Sequence, residues 1–157
     1  CHIYLGRYER AIEEGRKALE HTPDFPNLRA MLAVAYIAQG NAAEGVAMMK
    51  QMKGIEANPF ALSFLGYAYG AAGEKADAAR VIEELERLEK AGHYLAPTCW
   101  ARVYLGLGET DRALEWLEGI PDEGDGFVPF IKVQPPFDRL RSEPRYVELL
   151  KKLGLDK

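Results

Sequence analysis

Four glycines, Gly6, Gly40, Gly73 and Gly108, recur at intervals of 34, 33 and 35 residues. Two further columns keep the same register: the small residues Ala11, Gly45, Ala78 and Ala113, and the positions His2, Tyr36, Tyr69 and Tyr104. Three columns sharing one period restrict the chain to a stacked array of a single supersecondary unit.

Within a period the pattern is helical. Leu62, Leu65, Gly66 and Tyr69 share one helix face, and Ala78, Ile82 and Leu85 follow at i, i+4, i+7 beyond Gly73, which reads as two amphipathic helices and a turn. Asn58-Pro59 marks a helix start, with Pro at the first helical position, where a missing N–H costs nothing. Asn41 with Glu44 reads as a capping box. Helices are predicted near residues 9–21, 26–39, 42–55, 59–72, 75–91, 97–107, 111–118, 127–133 and 144–153. Ser142 is the expected N-cap of the last, whose stripe is Tyr146, Leu149, Leu150 and Leu153 before the stop at Gly154. Residues 134–144, rich in proline, read as an irregular connection.

Leu62-x2-Leu65-Gly66-x2-Tyr69 followed by Ala78-x3-Ile82 resembles the tetratricopeptide repeat, a helix–turn–helix unit of 34 residues. Arg29-x2-Leu32-Ala33-x2-Tyr36 with Gly45-x3-Met49, and Pro97-x2-Trp100-Ala101-x2-Tyr104 with Ala113-x3-Leu117, repeat the pattern. An incomplete unit keeps Gly6, Tyr8, Ala11, Ala18 and Pro23, with Gly15 where a large apolar residue is expected. The resemblance implies an all-α, right-handed solenoid forming one domain. Its parts are a partial repeat at 1–25, repeats at 26–58, 59–93 and 94–120, and a half-repeat with a capping helix at 121–157. Cys1 falls inside the pattern, so the chain is expected to be a piece of a longer protein. The segments HYLAPTCWARVYLGLGETDRALEWLE and FIKVQPPFDRLRSEPRYVELLKKLGL also resemble the C-terminal ends of bacterial signalling proteins. In those proteins such repeats follow winged-helix, adenylate-cyclase or serine/threonine-kinase domains.

The rest of the sequence argues against chemistry. A net charge of −4 disfavours nucleic acid and anionic membrane as partners of this fragment. No apolar run is long enough to insert in a membrane, and the opening CHIYLGRYERAIEE has no signal-peptide pattern. A cytoplasmic location is favoured, with the extracytoplasmic side open if a membrane segment lies elsewhere in the full protein. His2, His21 and His93 have no partners at ligand spacing, Asp122 and Asp125 do not make a calcium loop, and Ser63 and Ser142 lie in no nucleophile motif. Gly106-x-Gly108 reads as an inter-helix turn, and Cys1 and Cys99 as free thiols. No catalytic residue, metal or cofactor is expected.

The resemblance instead implies a binding groove. First helices line the concave face of such solenoids, which assigns Asn27, Ala30, Val34 and Ile37 in repeat two and Phe60, Ser63 and Tyr67 in repeat three. Thr98, Arg102 and Leu105 follow in the next repeat, and Ile3 and Tyr4 in the partial one. Only Arg102 is cationic, so the groove lacks the Lys/Asn set with which chaperone-binding members clamp a C-terminal carboxylate. The expected partner is a protein or peptide, bound as an extended segment or helix. The alternative is self-association as a homodimer that brings two upstream output domains together.

Overall fold

The computed structural model describes residues 6–120 and 128–155, and all regular structure among them is helical. The order is α1 (Tyr8–His21), α2 (Pro26–Ala38), α3 (Ala42–Lys50), α4 (Pro59–Ala71), α5 (Lys75–Lys90), α6 (Pro97–Leu107), α7 (Thr110–Glu118), α8 (Val128–Ile131) and α9 (Pro144–Lys152). Each first helix packs on its own second helix, α2 on α3, α4 on α5 and α6 on α7. The first helices also pack in file, α2 on α4 and α4 on α6. This is an all-α helical-repeat solenoid. Stacking is what gives each two-helix unit enough buried surface to hold its shape.

The periodic columns have distinct physical causes. Gly40, Gly73 and Gly108 end the first helices with φ of +84°, +80° and +79°, a conformation that glycine adopts without steric cost. Four residues upstream, the carbonyls of Tyr36, Tyr69 and Tyr104 accept the N–H of Asn41, Glu74 and Glu109 at 2.8, 2.9 and 2.9 Å. Tyrosine and glycine columns therefore mark one repeated C-cap in which otherwise orphaned carbonyls are satisfied. The small column is a helix–helix contact: Ala78 and Ala113 are fully buried. A Cβ on Gly45 would sit 2.9 Å from Ile37 Cγ1. At Gly15 the large residue missing from α1 is replaced by Leu32 of α2, whose Cδ2 would lie 2.6 Å from an added Cβ.

Several local expectations need correcting. α3 stops at Lys50 rather than continuing to 55, because Gly54 turns the chain at φ +67° into a short 3-10 turn at Ile55–Ala57. Asn58 caps α4 through Ala61 N–H at 3.1 Å, whereas Asn41 stands at the N-cap of α3 without a side-chain bond. The N-cap of α9 is Glu143, not Ser142, because Pro144 takes the first helical position and sets the cap one residue before it. Gly106 lies within α6 and only Gly108 makes the turn. The proline-rich connection is ordered as a 3-10 segment, Pro135–Leu140. Cys1 and the Asp122–Asp125 loop lie outside the described residues, and Cys99 is a buried free thiol.

The C-terminal elements close the stack. Ile131, Phe137, Leu140, Tyr146 and Leu149 join Leu105, Leu114 and Leu117 in one apolar cluster. Arg145 of α9 reaches back to α7, bonding both oxygens of Glu118 at 2.8 and 2.7 Å. Tyr146, 1% exposed, donates its hydroxyl to the Ile131 carbonyl at 2.7 Å, and burial pushes its pKa up to about 12. The folded chain thus keeps a proton that the unfolded chain releases near pH 10. The stability held by this neutral hydroxyl is complete below about pH 10 and falls as pH climbs to the folded value, by about 2–3 kcal/mol. Tyr146→Phe should cost about 1–2 kcal/mol at neutral pH and lack that alkaline loss. Urea midpoints of both proteins at neutral and alkaline pH check this; parallel pH profiles would contradict the assignment.

Candidate functional site: the concave face and its C-terminal wall

The first helices α2, α4 and α6 place the groove positions along one side of the stack. Asn27, at the start of α2, is exposed, while Ile37, Phe60 and Tyr67 are half-buried. Ala30 and Val34 are buried within the core shared by α2, α3 and α4. Ser63, Thr98, Arg102 and Leu105 are at most 1% exposed. Ile3 and Tyr4 lie outside the described residues.

Phe60, Ser63 and Arg102 are brought together, under a cover. The Arg102 guanidinium donates to Ser63 Oγ at 2.6 Å and to Gln134 Oε1 at 3.2 Å. It lies 4.0 Å from the Phe64 ring centroid and within 6 Å of the Phe60 and Phe137 rings. Guanidinium over aromatic faces is favourable, and more so where water is excluded. Ser63 Oγ in turn donates to the Phe60 carbonyl at 2.7 Å. Gln134 and Phe137 belong to the segment after α8, so the chain's own C-terminal part lies against α6 and α2 where the groove was expected open. Arg139 pins the same segment by donating Nη1 to the Leu105 carbonyl at 2.8 Å. Thr98 Oγ1 is buried with no hydrogen bond among the described residues.

The remaining space is a cleft of about 460 Å³. Its walls are Tyr8 of α1, Ile37 and Ala38 of α2, Tyr67 and Ala71 of α4, Leu105 and Gly106 of α6, and Pro135, Pro136, Asp138 and Arg139 of the 3-10 segment. The volume is that of an ordinary ligand pocket. Burial pushes the Tyr67 hydroxyl up to about 12, with Asp138 and Tyr8 pushing the same way and Arg139 and Arg102 opposing. Tyr8 is also raised, first by burial and then by Asp138, with Arg141 opposing. Both phenols are neutral hydrogen-bond donors near neutral pH, as an unshifted phenol already is. Asp138 Oδ1 accepts from Arg141 Nε and Nη2 at 2.8 and 2.6 Å.

Of the groove positions read from the sequence, Ile37, Tyr67 and Leu105 line this cleft, and its opposite wall is not among them. Tyr8, Asp138 and Arg139 lie outside the first helices of the complete repeats. The available signal was Phe137 and Leu140, apolar residues three apart after two prolines, which suits a buried 3-10 turn. Among the described residues, no three His, Cys, Asp or Glu side chains gather as metal ligands. No helix there is long and apolar enough to cross a membrane.

Two family models, both described as tetratricopeptide repeat, match the chain, one over residues 2–61 and the other over residues 59–84 and 101–118. No curated protein matches the chain, and neither does any solved structure.

Proposed function

Because the chain carries tetratricopeptide repeats, which generally mediate protein–protein interaction and are typically non-catalytic, we propose that it binds a partner protein through its concave face. The observation that carries this reading is the open cleft on which the first helices of consecutive repeats converge. Half-buried Ile37 and Tyr67 line that cleft together with Leu105, Asn27 is exposed at the start of α2, and Ser63, Thr98 and Arg102 are buried beneath the face. The partner is a peptide segment or helix, no cofactor takes part, and the chain acts by binding. The C-terminal resemblance to bacterial signalling proteins supports a sensory or scaffolding role beside an output domain.

A photo-crosslinking residue at Asn27 or Ile37, in cells making the protein, should yield covalent protein adducts. The same residue at Glu86, exposed on α5, should not. Adducts from Glu86 alone would reverse the assignment of the binding face. Self-association is favoured by a different observation: Phe130, Val133 and Val147 are exposed apolar residues on the C-terminal elements. A dimer that grows with concentration in sedimentation, and is lost in Phe130→Ser, would support that reading.

A further inference from the structure

We propose that the 3-10 segment Pro135–Leu140 is a strap that braces α1–α3 against α4–α7 and so sets how wide the concave cleft stands. In a plain solenoid each repeat touches only its neighbours, so curvature accumulates joint by joint. Here the 3-10 segment packs on both α6 and α2, which belong to repeats four and two. It ties together two repeats that are not consecutive.

The joints it spans are unequal. Between α4 and α6 the main chains meet, since a Cβ at Gly106 would lie 2.5 Å from the Tyr67 carbonyl oxygen. Backbone against backbone leaves that joint no room to slide. Between α2 and α4 the shared core holds side chains, among them Val34, Leu62 and Leu65. Packed side chains let two helices slip by small amounts, which is the movement of a shear joint. The strap crosses the joint that can move.

The strap is stiff and firmly anchored at one side. Pro135 and Pro136 fix two consecutive φ angles. The Phe137 N–H donates to the Gln134 carbonyl at 3.1 Å, and the Asp138 and Arg141 side chains clasp the next turn. On the α6 side Arg139 donates to the Leu105 carbonyl, Gln134 accepts from Arg102, and Phe137 and Leu140 are buried. On the other side Pro135 and Pro136 share the cleft with Ile37 and Ala38 of α2 and Tyr8 of α1. With the strap fixed to α6, any slip of α1 and α2 against it changes the width of the cleft. Resting on the reading of the concave face, a partner in the cleft touches strap and α2 together. Partner binding and strap seating are then linked in both directions.

The test measures distances between two spin labels on the whole chain by pulsed electron resonance. The labels go on Glu20→Cys of α1 and Glu89→Cys of α5, both exposed, with Cys1→Ser and with Cys99 buried. The intact strap should give one narrow distance distribution. Pro135→Gly softens the strap and keeps its anchors, and Arg139→Gln removes the Leu105 anchor. Each should broaden the distribution. Amide exchange is the second readout: Arg139→Gln should accelerate α1 and α2 at least about tenfold, the effect of one charge-assisted hydrogen bond, and spare α5. Arg145→Gln is the control, because it breaks the pair with Glu118 elsewhere on the C-terminal elements. It should leave the distances, and exchange in α1 and α2, as they are. Unchanged distances in both strap variants overturn the proposal. So does equal acceleration of α1, α2 and α5, or a response to Arg145→Gln as large as to Arg139→Gln, since either means general loosening. If the distances respond while crosslinking at Ile37 captures nothing, the strap stands and the concave-face reading falls. If crosslinking succeeds while the distances stay fixed, the strap falls and that reading stands.

Discussion

Gly106→Ala should destabilise the chain by about 3 kcal/mol, although alanine is the better helix former by about 1 kcal/mol. A Cβ at Gly106 would lie 2.5 Å from the Tyr67 carbonyl oxygen and 2.7 Å from the Tyr67 Cα. The reciprocal Cβ at Gly70 would lie 2.4 Å from the Gly106 carbonyl carbon. These are backbone atoms, so no rotamer change relieves the clash and α4 and α6 must separate. Gly66→Ala is the graded comparison. Its Cβ would meet methyl groups of Val81 and Val103 at 2.8 and 2.9 Å, which yield by small side-chain shifts, and it should cost about 1–2 kcal/mol. Urea midpoints of the two variants check the order. A stabilised Gly106→Ala would mean that helix propensity dominates and that the backbones do not cross there. Because Tyr67 and Gly106 both line the cleft, Gly106→Ala should also shift the Tyr67 ring resonances.

The repeat was legible because its physical requirement recurs. A helix that must reverse direction needs φ near +80° at the same offset each time, so glycine marks Gly40, Gly73 and Gly108. Tight pairing of two helices needs a small residue, so Ala78 and Ala113 stand in one column. Where a feature occurs once, the pattern misleads. Met52 and Ile55 are buried and continue the apolar spacing of α3, so the pattern extends the helix, yet the chain turns at Gly54. Closeness to Gly108 assigns Gly106 to the turn, while its actual constraint is the Tyr67 backbone of α4, 39 residues earlier. Such contacts have no period and leave no mark in local sequence.

The candidate site divides along the same line. Positions on α2, α4 and α6 follow from repeat register, and of these Ile37, Tyr67 and Leu105 line the cleft. Register says which side a residue faces but not what else the chain lays over it. Ser63 and Arg102 hold groove positions by repeat register and are nonetheless closed off, because Gln134 and Phe137 fold back from beyond the repeats. The same fold-back supplies Asp138 and Arg139, which makes the C-terminal segment a wall of the cleft as well as the closure of the core.

That fold-back sets the second large effect. Arg102→Ala should cost about 4 kcal/mol, a large part of the 5–15 kcal/mol by which a domain of this size is held. The side chain is 1% exposed and fills the space between Phe60, Phe64 and Phe137, so truncation leaves a cavity walled by three rings. It also removes the donor to Gln134 Oε1, a buried acceptor. Ser63 is less affected, since its hydroxyl still donates to the Phe60 carbonyl. Arg102→Met keeps most of the volume and carries no charge to desolvate, so it should cost under half as much. The loss should also be local. Amide exchange in Arg102→Ala should accelerate most at residues 134–140 and in α8, where the segment loses its hold on α6 and α2, and least in α3. Uniform acceleration along the chain would mean that Arg102 serves the whole stack equally. A cost under about 1 kcal/mol would show that the segment is seated on the concave face without it.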